Sequence, residues 1–250
     1  MFRYKLTIEY NGAAFFGWQI QDTGSTVQGQ IEIALAKFTK QQPRVNGSGR
    51  TDSGVHALGQ VAHMDLTDQW DPQKIREAVN YHLKPDAISI LSVELVDENF
   101  DARFAATERH YIYRIINRRA PLALDLGLAW HVRQELDAKA MQQAAQYLIG
   151  HHDFTTFRSV HCQAKSPIKT VNKVNVTRHE EDIEIEVSAR SFMHNQVRSF
   201  VGSLKNVGEG RWEAQQIDLA LKACNRAECG EVAPAHGLYL AQIDYGQSAH

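Results

Sequence analysis

Residues 171–189, VNKVNVTRHEEDIEIEVSA, decide the fold class of this 250-residue chain. Val174 and Val176 alternate with polar neighbours before the polar stretch His179–Asp182, and Ile183, Ile185 and Val187 alternate with Glu184, Glu186 and Ser188 after it. A period of two marks a half-buried strand. Two such strands joined by so short a turn must be antiparallel, because a parallel pair needs a crossover of a dozen or more residues. The same alternation recurs outward from this hairpin. At 3–10, Tyr4, Leu6, Ile8 and Tyr10 share one face, and Arg3, Lys5, Thr7 and Glu9 share the other. At 108–117, Arg109, Tyr111, Tyr113 and Ile115 alternate with His110, Ile112, Arg114 and Ile116. Residues 60–66, 87–97 and 238–243 read as further extended segments.

Helical spacing fills the intervals. Ser25-x-x-Gln28 resembles a capping box ahead of Val27, Ile31, Ala34, Leu35 and Phe38. Asp71-Pro72 is a good helix start, and Ile75, Val79 and Leu83 give that helix its apolar stripe. A third helix runs from Asp137 through Met141, Ala144, Ala145 and Leu148 to a stop at Gly150. Phe192, Met193, Gln196, Val197, Phe200, Val201 and Leu204 mark a fourth with a strongly apolar face, and a short fifth lies near 214–224. Helices interleaved with hairpin-joined strands indicate an α+β fold rather than a doubly wound sheet. Two α+β halves meet near residues 100–107.

With 27 basic and 29 acidic residues the formal charge is −2, which rules out a uniformly basic coat. Charge is nevertheless segregated along the chain. Residues 158–178 carry Arg158, Lys165, Lys169, Lys173 and Arg178 and no acid, and 101–133 carry six arginines against three acids. Residues 180–186 hold five acids in seven positions. A near-neutral protein can therefore present a basic face to a polyanion, and the interleaved Tyr111, Tyr113, Trp130, Phe154 and Phe157 suit stacking on bases. Three cysteines without a C-x-x-C cluster point to a reducing compartment. The N-terminus has no signal-like apolar core, and no stretch approaches a membrane span, so the expected location is the cytoplasm.

The most unusual segment is Gly49-Arg50-Thr51-Asp52-Ser53-Gly54. Two glycines bracket an arginine, two hydroxyls and a carboxylate, so the loop can turn sharply and present Asp52 outward. No Gly-Lys-Ser/Thr follows, so it is not a P-loop, and G-x-S-x-G is absent. The plain alternative is an aspartate closing an Asx-turn. His151-His152-Asp153 with His161-Cys162 invites a metal reading, but the spacing fits no standard zinc pattern. Cys224 and Cys229 read as packing residues. Arg198 falls on the fourth helix, where Asn195, Ser199 and Gly202 make a small, polar side that admits another backbone or a ligand.

Taken together, these segments resemble the TruA family of tRNA pseudouridine synthases. The resemblance is carried by Phe16-Gly17-Trp18-Gln19 with Thr26-Val27-Gln28, by GRTDSGVHA at 49–57 and by FDARF at 100–104. Tyr111-x-Tyr113, GHHDF at 150–154, FMHNQVRSFVG at 192–202 and PAHGLYL at 234–240 complete it in the same order. Leu83-Lys84-Pro85 departs slightly from the family's Leu-Pro. The resemblance implies two halves like RNA-recognition (ferredoxin-like) folds, residues 1–103 and 104–250, forming one extended, mostly antiparallel sheet with flanking helices and a central catalytic cleft. It implies a homodimeric isomerase, free of cofactor and metal, converting uridine to pseudouridine in the anticodon arm of tRNA (tRNA positions 38, 39 and 40). It also implies catalytic roles for Asp52, Tyr111 and Arg198, and a place for Arg50 near the RNA backbone or the extruded nucleotide. Arg103, Arg109, Arg158, Lys165 and Lys169 are the further expected RNA-binding residues.

The chemistry agrees with such a residue set. Breaking C1′–N1, turning the uracil over and joining C5 to C1′ changes no oxidation state and releases no group to hydrolysis. What it needs is a carboxylate, as nucleophile at C1′ or as base at the sugar. Arg198 would hold that carboxylate by a charge-assisted pair. Tyr111 offers a ring to stack on the base and a hydroxyl near C5. The rival readings are a non-catalytic RNA-binding or tRNA-folding module on the same fold, for which a carboxylate facing phosphates has no use, and a metal-dependent hydrolase using His151–Asp153.

Overall fold

The computed structural model describes residues 1–160 and 162–246, which form two compact units. The first comprises Met1–Thr107 together with the chain from Tyr239 on, and the second comprises Glu108–Leu238. The units thus begin and end elsewhere than at the expected 103/104 boundary, and the last strand returns to the first unit.

In the first unit, β1 (Phe2–Tyr10), α1 (Val27–Thr39), the two-residue β2 (Asn46–Gly47), β3 (His56–Leu66), α2 (Pro72–Leu83) and β4 (Ile88–Val96) follow one another. β1 lies between β4 and β3 and is antiparallel to both. Tyr4, Leu6, Ile8 and Tyr10 are buried as their alternation requires, with Ile31, Leu35, Ile75, Val79 and Leu83 of the helices. Asp71 caps α2 by accepting from the N–H groups of Gln73 (2.7 Å) and Lys74 (3.2 Å), with Pro72 in the first turn. The capping of α1 differs from the expected box. Thr26, not Ser25, is the N-cap and accepts from Gly29 N at 3.3 Å. Gln28 instead turns its side chain away to the backbone of Ile20 and Val45.

β5 (Ala106–Asn117) leads from the first unit into the second at Glu108, and the second continues with β6 (Trp130–Val132), α3 (Ala138–Ala145), β7 (Gly150–Asp153), β8 (Ile168–His179), β9 (Asp182–Ala189), α4 (Gln196–Gly208) and α5 (Gln215–Ala223). Its sheet order is β5–β9–β8–β7, antiparallel throughout, with β6 parallel to the end of β5. The 171–189 hairpin forms as read, from Val171↔Ala189 to His179↔Asp182, with Glu180 at φ +55° in the turn. α3 packs on β8 and α4. The core is built on Tyr113, Phe154, Phe157 and Phe200, the last with ring centroids 5.4 and 5.1 Å from the other two phenylalanines. α3 stops at Ala145 and continues as a 3-10 turn to Leu148, so Gly150 (φ +119°) opens β7 rather than ending the helix. Finally β10 (Leu238–Tyr245) joins β3 in parallel through Tyr239↔His56 and Leu240↔Ala57.

A buried histidine makes the first unit sensitive to acid. His63 Nδ1 accepts from Ala102 N at 3.1 Å, which needs that nitrogen unprotonated. Burial, reinforced by the Arg3 charge, holds its pKa below the ordinary 6.5 against the pull of Asp101 and Asp65. The unfolded chain therefore takes up the proton first. Stability is complete above the unfolded value and falls as pH drops below it towards the folded value. Tm is expected to fall between about pH 7.5 and about pH 5.5. In His63→Asn, whose amide oxygen can still accept from Ala102, the slope becomes shallower; an unchanged slope would refute the assignment.

Candidate active site

Three of the sequence motifs of the first unit are one assembly. The turn Asp52–Val55 closes by a bond from Val55 N to Asp52 O at 3.1 Å, with Gly54 at φ +79°. Thr51 anchors it: its carbonyl accepts from Trp18 N at 3.1 Å, and its hydroxyl lies 2.8 Å from the buried Tyr10 hydroxyl. Ser53 Oγ donates to Phe15 O at 3.2 Å. Gly17 sits at φ +86°, and a Cβ there would lie 2.5 Å from Thr51 O, so only glycine lets the two loops touch. The carbonyls of Gly17 and Trp18 in turn accept from Val27 N (3.2 Å) and Gln28 N (3.0 Å), the first turn of α1. The Phe16–Gln19 loop is thereby clamped between a helix start and the Asp52 turn. Asp52 itself is half-buried on this scaffold, and Arg50 beside it is exposed.

The FDARF turn is held as firmly. Arg3 donates to Phe100 O (3.0 Å), His63 accepts from Ala102 N, and Tyr245 OH donates to Ala102 O (2.8 Å). Asp101 Oδ1 accepts from the N–H groups of both Arg103 and Phe104, each at 2.8 Å. Arg103 and Phe104 are left exposed, the guanidinium 5.6 Å from the ring centre.

In the second unit the two tyrosines of Tyr111-x-Tyr113 separate by role. Tyr113 is fully buried and donates to Pro234 O at 2.8 Å, and burial pushes its hydroxyl far above the usual range. It is a core residue. Tyr111 stays half-buried on the same face of β5, edge-to-face with Phe192 at 5.3 Å. Arg198, in the first turn of α4, donates from Nε to Ala233 O at 2.7 Å and from a terminal nitrogen to Asn195 Oδ1 at 2.9 Å. The loop carrying Arg158 is tied to the same neighbourhood by Ser159 N donating to His194 O at 3.0 Å. Residues 192–195 thus adjoin Tyr111, Arg198 and the Arg158 loop. His236 lies near Arg198; burial first, then that positive charge, hold its imidazole below the ordinary value against a hydrogen bond with Ala129.

Among the remaining candidates, Arg109 donates to Arg190 O, Arg158 donates to Cys162 O at 3.4 Å, Lys165 is exposed ahead of β8, and Lys169 on β8 pairs with His152 of β7. The basic runs are less basic in space than along the chain. Arg114 reaches Asp125 (3.3 Å) and Asp182 (3.4 Å), Arg118 reaches Glu181 (3.0 Å), and Lys173 reaches Glu186 (2.7 Å). Acids of the 180–186 stretch thus neutralise Arg114, Arg118 and Lys173. Arg178 is spent on Asn117 and the Leu136 carbonyl. His151 is within 2.9 Å of Thr170 Oγ1, His152 within 2.9 Å of Ile149 O, and Asp153 accepts from Thr155 N. Each of the three is engaged separately along β7, and His161 lies outside the described residues.

Sequence reading missed the strap formed by residues 229–234, which contributes Ala233 to Arg198. Its only local signal is the small side of α4. Of the two occupants that side could admit, it receives a backbone: a Cβ on Gly202 would collide with Glu231 O.

A family model described as tRNA pseudouridine synthase matches residues 6–105 and 144–246. Asp52 and Arg198 fall inside those ranges, and Tyr111 falls between them. Proteins named tRNA pseudouridine synthase A from Parvibaculum lavamentivorans and Bradyrhizobium diazoefficiens are each 57% identical over 243 residues, covering 97% of this chain and 99% of theirs. One of the same name from Brucella ovis is 56% identical over 245 residues, covering 97% of this chain and 98% of its own.

Proposed function

The chain belongs to the tRNA pseudouridine synthase family, and on that premise we propose that it acts in the anticodon arm with Asp52 as its catalytic carboxylate, Tyr111 under the base and Arg198 aiming Asp52. As a member of the family it is an isomerase of uridine in tRNA. The observation that carries the assignment of Asp52 is the scaffold of its turn. Tyr10, Phe15, Gly17 and Trp18 all hold Thr51 or Ser53, the two neighbours of Asp52, as a reacting group must be held within a fraction of an ångström of its target.

The reaction balances without an external reagent. The C1′–N1 bond breaks, the uracil turns, C5 bonds to C1′, and the proton lost from C5 is matched by one gained at N1. Asp52 either attacks C1′ or removes a proton from the sugar. Tyr111, fixed edge-on to Phe192, offers its ring to the base and its hydroxyl to the C5 proton. Extruding a stacked base costs a few kcal/mol. Phosphate contacts from Arg50, Arg103, Arg109, Arg158, Lys165 and Lys169 offset that cost and weaken with salt. Asp52 belongs to the first unit, and Tyr111 and Arg198 belong to the second. No helix among the described residues is long and apolar enough to cross a membrane. The resemblance supports a cytoplasmic homodimer in which one tRNA contacts both subunits.

Tritium release from tRNA labelled at uridine C5, followed with EDTA present, tests the activity. Release at an undiminished rate is expected. A protein that binds tRNA yet releases no tritium would instead be an RNA-binding or tRNA-folding module.

A further inference from the structure

Residues 229–234 lie along α4 as a strap. Gly230 N donates to Ser203 Oγ at 3.0 Å, and Ala233 N donates to Arg198 O at 3.1 Å. A Cβ on Gly230 would come within 2.8 Å of Ser203 Cα, and one on Gly202 would meet Glu231 O, so the two backbones are in contact without side chains between them. The strap then presents Ala233 O to Arg198 Nε at 2.7 Å and Pro234 O to Tyr113 OH at 2.8 Å.

A charged clamp closes this seam two helical turns from Arg198. Lys205 Nζ lies 2.8 Å from Glu231 Oε1 and 2.8 Å from Glu209 Oε1, with its side chain only 11% exposed and 5.2 Å from the Trp130 ring centre. Burial alone would push the Lys205 ammonium down, but its hydrogen bonds to Glu209 and Glu231 hold it above the ordinary lysine value. A buried lysine with two carboxylates is a costly device for stability alone, since well-packed apolar residues often serve as well. Here one of the two carboxylates is on the residue that caps the end of α4 and the other is on the strap.

We infer that the Lys205–Glu231 ion pair is a positioning device for the isomerase: it keeps the 229–234 strap in register on α4 and so holds the Ala233 carbonyl that aims the Arg198 guanidinium. This rests on the proposed role of Arg198. Neither Lys205 nor Glu231 touches the reacting atoms. A shift of the strap by about an ångström would rotate the guanidinium off its line, an error that costs far more in rate than in binding.

Glu231→Ala is the variant to test, because Glu231 is 50% exposed and its removal leaves the buried Lys205–Glu209 pair intact. Expected is a fall of about tenfold in kcat with KM for tRNA within about twofold and tRNA affinity unchanged. Glu231→Asp, which keeps the charge, recovers part of the loss. In an Arg198→Lys background the same substitution costs little further, because residues acting as one unit are non-additive. If Arg198→Lys is damaging but Glu231→Ala turns over at the wild-type rate, or costs the same in both backgrounds, the clamp plays no part in positioning. If Arg198→Lys itself matches the wild type, the role of Arg198 has failed and the inference falls with it.

Discussion

Asp52→Asn is expected to abolish turnover, lowering single-turnover tritium release by roughly 10⁴-fold or more, the scale of loss when a nucleophile or proton-transferring carboxylate is removed. The amide is nearly isosteric with the carboxylate but can neither form the covalent bond at C1′ nor take a proton from the sugar, so both roles open to Asp52 predict the same result. The fold should tolerate the change. The amide keeps the size of the side chain and an accepting oxygen, and the turn is closed on the backbone carbonyl of Asp52 with Thr51 and Ser53 anchored to neighbouring loops. Tm should therefore move by no more than about 4 °C, equivalent to roughly 1 kcal/mol in a chain of this size. tRNA affinity should hold or rise slightly, because a negative charge facing the phosphate backbone has been removed. A variant retaining turnover within about tenfold of wild type, with its stability unchanged, would remove Asp52 from the chemistry.

The parts of this molecule legible in its sequence are those determined by near neighbours. The 171–189 hairpin, the buried face of β1 and the Asp71-Pro72 start of α2 depend on residues a few positions apart, and periodicity and capping chemistry report them directly. Where two local choices were nearly equal, distant contacts decided. Ser25 and Thr26 could each cap α1. Thr26 does, because the carbonyls of Gly17 and Trp18 meet the N–H groups of Val27 and Gln28 and fix where the helix begins. The return of β10 to β3, pairing Tyr239 with His56, has no local signature at all, which is why the boundary of the units differs from a simple division of the chain. Charge shows the same limit. Arg114 meets the nearby Asp125, but Asp182 and Glu181, which also answer Arg114 and Arg118, lie more than 60 positions later. Asp52 was conspicuous because its glycine-flanked loop is unusual. The bonds that hold the loop, from Tyr10 and Trp18 to Thr51, join residues far apart in the chain and leave no local signal.

Arg198→Lys should be nearly as damaging as Arg198→Ala, each lowering kcat by roughly 10²–10³-fold, as when a preorganised electrostatic donor is lost. A conservative exchange is expected to fail because of what the guanidinium already does. Its Nε is committed to Ala233 O at 2.7 Å and a terminal nitrogen to Asn195 Oδ1 at 2.9 Å. These two bonds, to the strap and to the residue preceding α4, fix both the position and the plane of the fork. A planar group with five N–H donors can satisfy them and still present donors to a carboxylate. An ammonium is a compact point charge whose three donors diverge, and a lysine held at Ala233 cannot also reproduce the Asn195 edge. Asn195, at φ +63°, is itself in the left-handed region that asparagine tolerates better than most residues, and from there its Oδ1 accepts from Arg198. The measurement is single-turnover tritium release at saturating enzyme, with tRNA binding followed separately. Both variants should bind tRNA within about threefold of wild type, since one charge among many phosphate contacts changes affinity modestly. Should the lysine variant turn over within about threefold of wild type while alanine does not, charge alone would suffice and the fork geometry would be irrelevant.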